Sequence, residues 1–140
     1  MDLGIAGKWA LVCGASKGLG LGCAQALVRE GVNVLIVARG LEVLAQSASK
    51  LIADDAHSTR AEVLFVAADI TTVEGRAAVF AVRRDFDIVV TNAGGPPPGD
   101  FREWDRDAWV KALDPMTPRS MYWAASRFEA LMAASGSFLK

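Results

Sequence analysis

Four short runs of the chain, residues 8–13 (KWALVC), 32–38 (VNVLIVA), 63–68 (VLFVAA) and 87–91 (DIVVT), are almost wholly apolar or β-branched. Strands with one face in water alternate polar and apolar residues, so continuous apolar runs of this length belong to a sheet covered on both faces. The segments between the runs carry helical periodicity. Leu19, Cys23, Ala26 and Leu27 make one stripe, Leu41, Leu44, Ala45, Ala48, Leu51 and Ile52 a second, and Val73, Ala77, Phe80 and Ala81 a third. Thr71, followed three residues on by Glu74, predicts a capping box at the start of the third helix. The order is thus β-α-β-α-β-α-β, and right-handed crossovers predict a parallel sheet with helices on both faces, most simply in the strand order 3-2-1-4. Such an α/β arrangement, with about four strands, is an incomplete doubly wound sheet.

A chain of 140 residues has room for one domain with a substantial core, and little beyond a single ligand-binding half. With 52% hydrophobic residues, 22% charged residues and a formal net charge of −1, it has the composition of a globular protein. That balance supplies no electrostatic attraction for nucleic acid or an anionic membrane, and neither is expected as a partner. Cys13 and Cys23 lie in apolar surroundings without zinc-site spacing or disulfide density, so both are expected to be reduced core thiols. No apolar stretch reaches the length of a membrane span and no basic leader precedes the first strand, which makes the cytoplasm the expected location.

Ligands of doubly wound sheets sit beyond the carboxyl ends of the strands where the strand order reverses, here between the first and fourth strands. The residues just after Cys13, Ala38, Ala68 and Thr91 are therefore the informative ones. After the first strand, Gly14, Gly18 and Gly20 have the spacing G-x-x-x-G-x-G before an amphipathic helix, which lets a turn tighten and a phosphate approach backbone N–H groups at the helix start. Glycine spacing alone also fits an ordinary strand-to-helix turn; the strand and helix around it favour the phosphate. A P-loop is disfavoured, because Lys17 is followed by Gly18 and no G-K-[ST] ending occurs. After the second strand stands Arg39, where an acidic residue would hold the ribose hydroxyls of NAD, and a guanidinium suits the 2′-phosphate of NADP. Lys17 offers a second positive charge near the same phosphate, although a lone lysine also fits a solvated side chain.

Three motifs now stand in order: Gly14-Ala-Ser-Lys-Gly-Leu-Gly20, Ala68-Asp69-Ile70 after the third strand, and Thr91-Asn92-Ala93-Gly94-Gly95 after the fourth. Over about residues 5–114 the chain resembles the short-chain dehydrogenase/reductase family, in the manner of 3-oxoacyl-acyl-carrier-protein reductases. The resemblance implies a Rossmann-type fold and a bound NADP or NADPH, with a small-molecule carbonyl compound as substrate. It implies that Gly14, Gly18 and Gly20 bind the pyrophosphate, that Asp69 hydrogen-bonds the adenine, and that Asn92, Ala93 and Gly94 support the sheet and flank the dinucleotide; Ser16, Lys17, Leu19 and Ile70 within the same motifs complete the expected cofactor-binding set. Cys13 stands where many members have threonine, a change expected to be tolerated. The Gly94-Gly-Pro-Pro-Pro-Gly99 loop either borders a substrate pocket or is a rigid surface connection.

Reductases of this family use a tyrosine as proton donor, a lysine four residues later that lowers its pKa and holds the ribose, a serine on the next strand after the fourth and often an asparagine in the helix before it. Tyr122 is the only tyrosine of this sequence, and Ser126 stands four residues on, so no Tyr-x-x-x-Lys occurs and no catalytic residue is assigned. Residues 115–118 (PMTP) interrupt a helix where the asparagine would follow, and residues 119–134 carry a further helical stripe before a short tail. The expectation is therefore a dinucleotide-binding half over 1–114 and a divergent helical segment over 115–140, in a truncated or diverged member of the family. A frame shift or early stop would reveal itself as the missing motifs in another reading frame. Two functions stay open, an NADP-dependent carbonyl reductase with impaired catalysis and a non-catalytic dinucleotide module or partner of an intact homologue. His57 reads as a solvated loop residue, Trp104 and Trp109 as packing a helix on the sheet, and Asp105 and Asp107 as helix-start charges. A fourth strand left as an edge predicts a homo-oligomer or edge association.

Overall fold

The computed structural model describes residues 3–53, 61–92 and 99–113. The chain divides into two compact units, Met1–Asn92 and Ala93–Lys140. In the first, β1 (Trp9–Cys13), α1 (Gly18–Arg29), β2 (Asn33–Ala38), α2 (Leu41–Ala53), β3 (Val63–Ala67), α3 (Val73–Val82) and β4 (Ile88–Val90) follow one another. The strands form one parallel sheet in the order β3-β2-β1-β4, a Rossmann-type α/β arrangement. The register aligns Ala10 with Val34 and Ile88, and Val34 with Val63. Because all four strands are parallel, every strand-to-helix turn emerges at the same end of the sheet.

The central strands are apolar throughout because both of their faces are covered. Ala10, Val12, Val34 and Ile36 pack with Ala24 and Val28 of α1 and with Leu44, Ala48 and Leu51 of α2. The alternate residues Leu11, Cys13, Leu35 and Val37 are equally buried. The crossover from β3 to β4 runs back across the sheet, so the same right-handedness brings α3 to the opposite face from α1 and α2. The outer strands differ from the expectation of full cover: residues of β3 and β4 are only partly buried, and Phe65 is exposed. An edge strand has neighbours on one side only, which the apolar run itself does not reveal.

The helical stripes shift from their expected positions. In α1 the buried residues are Gly20, Ala24 and Val28, while Leu19 is 84% exposed and Cys23 and Ala26 are also exposed. The helix approaches the preceding turn so closely that Gly20 has no room for a Cβ, and Gly20, Ala24 and Val28 set the inward face, with Leu21 and Leu27 partly buried beside it and Cys23 off it. Cys23 is consequently a surface thiol, whereas Cys13 is buried as expected. In α2 the buried set is Leu44, Ser47, Ala48 and Leu51, leaving Leu41 and Ile52 in solvent. In α3 it is Gly75 and Val79, with Val73, Ala77 and Ala81 exposed. The cap of α3 is Thr72, whose hydroxyl accepts from Gly75 N at 3.0 Å, one residue later than the expected Thr71.

At the opposite end of the sheet, Trp9 N donates to Asp87 Oδ2 at 2.8 Å and Asp87 N donates to Trp9 O at 2.9 Å, which ties β4 to β1. The Arg83 guanidinium lies 3.9 Å from the centroid of the Trp9 ring. In the second unit, a 3-10 turn (Phe101–Glu103) precedes α4 (Arg106–Leu113). Asp105 Oδ1 accepts from Ala108 N at 2.8 Å and so caps α4, and Asp107 sits in its first turn. Trp104 and Trp109 meet edge to face with centroids 5.2 Å apart, pairing with each other. Residues 54–60 with His57, residues 93–98 with most of the proline loop, and residues 114–140 with Tyr122, Ser126 and the expected last helix lie outside the described residues.

Candidate dinucleotide site at the carboxyl end of the sheet

The turn from β1 into α1 is held from three directions. Gly14 adopts φ +60°, and a Cβ there would lie 2.6 Å from Asn92 O and 2.7 Å from Asn92 Nδ2. The same Asn92 Nδ2 donates to Gly14 O at 3.3 Å, so the end of β4 grips the first residue of the turn. Ala15 N donates to Val37 O at 3.1 Å, which fastens the next residue to β2. The hydroxyl of Ser47 in α2 lies 2.9 Å from the Ser16 carbonyl oxygen and donates to it. A Cβ on Gly20 would collide with the Gly14 carbonyl, so glycine at that position lets the helix fold back onto the turn.

Beyond these anchors the turn is open. Gly18 also has φ +60°, yet nothing lies within 4 Å of where its Cβ would be. Lys17 is the N-cap of α1 and supplies no side-chain cap, so the first N–H groups of the helix have no capping side chain before them. Lys17, Gly18 and Leu19 are all exposed. Unpaired helix-start amides with the positive end of the helix dipole behind them form a ready seat for an anion.

Arg39 follows β2 and Asp69 follows β3, on adjacent strands whose ends are joined by Ala68 N donating to Ala38 O at 2.9 Å. The Asp69 carboxyl is held below the usual carboxylate range. Its Oδ1 accepts from the Thr71 hydroxyl at 2.7 Å and from Thr71 N at 2.9 Å, which outweigh the opposing effect of burial, and the charge of Arg39 adds the smallest lowering. The turn itself is fixed by Arg76, whose Nη1 donates to the carbonyls of Ile70 at 3.0 Å and Thr71 at 2.9 Å. Asp69 is therefore an ionised acceptor of fixed orientation beside a guanidinium.

Of the residues expected at the site, Gly14, Ser16, Lys17, Gly18, Leu19 and Gly20 form one turn and Asn92 touches it. Arg39, Asp69 and Ile70 stand at the same end of the sheet, and Ala93 and Gly94 lie outside the described residues. Four contributors were not foreseen: Ser47, Thr71 as the partner of Asp69, Arg76, and Gly75, where a Cβ would collide with the Asp69 carbonyl. Their sequence signals were a serine inside an apolar stripe and a glycine in the first turn of a helix. Among the described residues, no cluster of three or more His, Cys, Asp or Glu is placed to hold a metal ion, and no helix is long and apolar enough to cross a membrane.

The sequence matches the short chain dehydrogenase family over residues 8–137. The chain belongs to that family. The matched stretch runs on past Asp114, so the likeness is longer than the three motifs mark out. An uncharacterized oxidoreductase, YvaG, of Bacillus subtilis (strain 168) is 34% identical over 115 residues, which cover 81% of this chain and 42% of that protein. Inactive hydroxysteroid dehydrogenase-like protein 1 of Mus musculus is 34% identical over 108 residues, covering 72% of this chain and 31% of that protein. Among solved structures, L-sorbose reductase from Gluconobacter frateurii, complexed with NADPH and L-sorbose, superposes with a TM-score of 0.72 at 33% identity, over 91% of this chain and 46% of that one. The chain thus spans less than half the length of these relatives. Membership places the chain in a family of oxidoreductases.

Proposed function

We propose that this chain binds a nicotinamide dinucleotide at the carboxyl end of its sheet, with NADP(H) preferred over NAD(H). The observation that carries the reading is the anchored yet open turn: Gly14, Ala15 and Ser16 are bonded to three different elements, while Lys17, Gly18 and Leu19 are exposed at an uncapped helix start. The residues present fit the group. A pyrophosphate takes the helix-start amides, and at Gly18 there is open space where a side chain would stand. Arg39, with Lys17 adding charge, suits a 2′-phosphate, and Asp69 offers an ionised acceptor for an adenine amino group. Asn92 holds the turn from the β4 side, with Ala93 and Gly94 next in sequence. The NADPH in the L-sorbose reductase complex supports the same choice by kinship.

A bound nicotinamide would supply hydride for reduction of a carbonyl, such as that of a 3-oxoacyl thioester. This chain's own residues bind and orient the dinucleotide but contain no Tyr-x-x-x-Lys to deliver the accompanying proton, so turnover by these residues alone is expected to be weak or absent. Residues 1–114 would be the binding half and 115–140 a divergent helical segment, in a cytoplasmic protein that associates through its sheet edge. A second reading, a non-catalytic dinucleotide module or partner of an intact homologue, is supported by the likeness to a relative whose name begins "inactive". Calorimetric titration with NADPH and NADH tests the binding, and an NADPH-oxidation assay with carbonyl compounds separates the two readings. Heat with neither dinucleotide would refute the proposal, and turnover abolished by Tyr122→Phe would refute impaired catalysis.

A further inference from the structure

Among the described residues, Ser47 is the one polar side chain that is buried, at 6% exposure. A serine within a helix commonly donates to the carbonyl four residues back, and Ser47 does so, with Val43 O at 2.8 Å. That bond alone would satisfy its hydroxyl. The second acceptor, Ser16 O at 2.9 Å, belongs to the β1–α1 turn, 31 residues earlier in sequence. The single hydroxyl proton is thus shared between α2 and the turn, an arrangement that requires α2 to be placed with its polar position facing Ser16.

Fixing the Ser16 carbonyl also fixes the next amide. The Ser16–Lys17 peptide is trans, and a planar trans peptide points its C=O and N–H in opposite directions. With the carbonyl held on α2, the Lys17 N–H is turned away from α2. Asn92 on the Gly14 carbonyl and Val37 on the Ala15 N–H both hold one earlier peptide, Gly14–Ala15, from the β4 and β2 sides. Ser47 is the only one of these three anchors contributed by a helix, and it acts on the peptide nearest the open amides.

From this geometry we infer that Ser47 is a positioning residue for dinucleotide binding: by holding the Ser16 carbonyl it locks the Ser16–Lys17 peptide in the orientation that presents the Lys17 backbone to the ligand's phosphates. The inference rests on the dinucleotide reading above. Ser47 touches no ligand; its effect is to remove the need to order this peptide at the moment of binding.

The test compares Ser47→Ala, Ser47→Cys and Ser47→Thr with the unaltered chain, each measured for NADPH affinity by calorimetry, for thermal midpoint, and for amide hydrogen exchange of Lys17 and Gly18 without ligand. The alanine and cysteine variants lose the strong donor, and each is expected to raise Kd about three- to tenfold, the range of one neutral hydrogen bond. Both are also expected to speed exchange at Lys17 and Gly18. Threonine keeps the hydroxyl and is expected to stay within about twofold of the unaltered chain. Where alanine fails to fold, cysteine, close to serine in size, carries the comparison. A lowered midpoint with unchanged Kd and unchanged exchange would reduce Ser47 to core packing and overturn the inference, as would equal losses in alanine and threonine. If the unaltered chain binds NADPH and Ser47→Ala binds it as well, the inference alone fails. If the unaltered chain binds neither NADPH nor NADH, the dinucleotide reading fails and takes the inference with it.

Discussion

Gly14 and Gly18 share one backbone conformation and differ in their surroundings, so replacing each with alanine separates conformational strain from steric exclusion. Both have φ +60°, where an L side chain costs about 1–2 kcal/mol. At Gly18 that is the whole expected loss, because no atom lies within 4 Å of the new Cβ. At Gly14 the Cβ meets the Asn92 carbonyl oxygen at 2.6 Å and its side-chain nitrogen at 2.7 Å. Neither can retreat freely, since Asn92 N donates to Val90 O at 3.1 Å and its Nδ2 donates to Gly14 itself. Forcing a methyl into such a site costs roughly a further 1–3 kcal/mol. Gly14→Ala is therefore expected to destabilise the fold by about 2–5 kcal/mol and Gly18→Ala by about 1–2 kcal/mol. Urea unfolding followed by circular dichroism, with the slopes compared to confirm a common unfolding transition, reads both values. Equal losses, or a larger one at Gly18, would show that Asn92 does not close over the turn.

Arg39→Ala is expected to weaken NADPH binding by about ten- to a hundredfold, the worth of a charge-assisted bond to phosphate, and to leave NADH nearly unchanged; parallel calorimetric titrations check the difference. The depressed pKa of Asp69 places its contribution to stability above the ordinary carboxylate value near 3.9, to be lost only as pH falls through the lower folded value. Thr71→Val removes the largest cause of that depression, so the Asp69 carboxyl carbon should titrate at higher pH by NMR, and an unmoved midpoint would reject the assignment. Burial pushes the Cys13 thiol up to about 12, whereas Cys23 is exposed. A disulfide reagent at mildly alkaline pH is therefore expected to modify one thiol in the native protein and both after denaturation, with rapid modification of both refuting the burial. Light scattering is expected to show a dimer or larger assembly, and a monodisperse monomer would count against edge association.

The sequence by itself determined the sheet. Continuous apolar runs have one economical use, strands covered on both faces, and the handedness of crossovers then leaves the observed order β3-β2-β1-β4 as the simplest one. It also determined the end of the sheet at which the strand-to-helix turns gather, because parallel strands send all their turns to one end; Gly14 and Arg39 follow their strands immediately, and Asp69 and Asn92 follow theirs after one intervening residue. Which face of each helix is buried was decided only in three dimensions. In α1 and α3 nearly every position is small or apolar, so periodicity was weak, and close backbone approach at Gly20 and Gly75 selected the inward face rather than hydrophobicity. The links that make the turn rigid, Ser47 to Ser16 and Asn92 to Gly14, join residues 31 and 78 positions apart. Such bonds depend on the register and rotation of packed elements, and those are settled by the whole core at once rather than by any local run of residues.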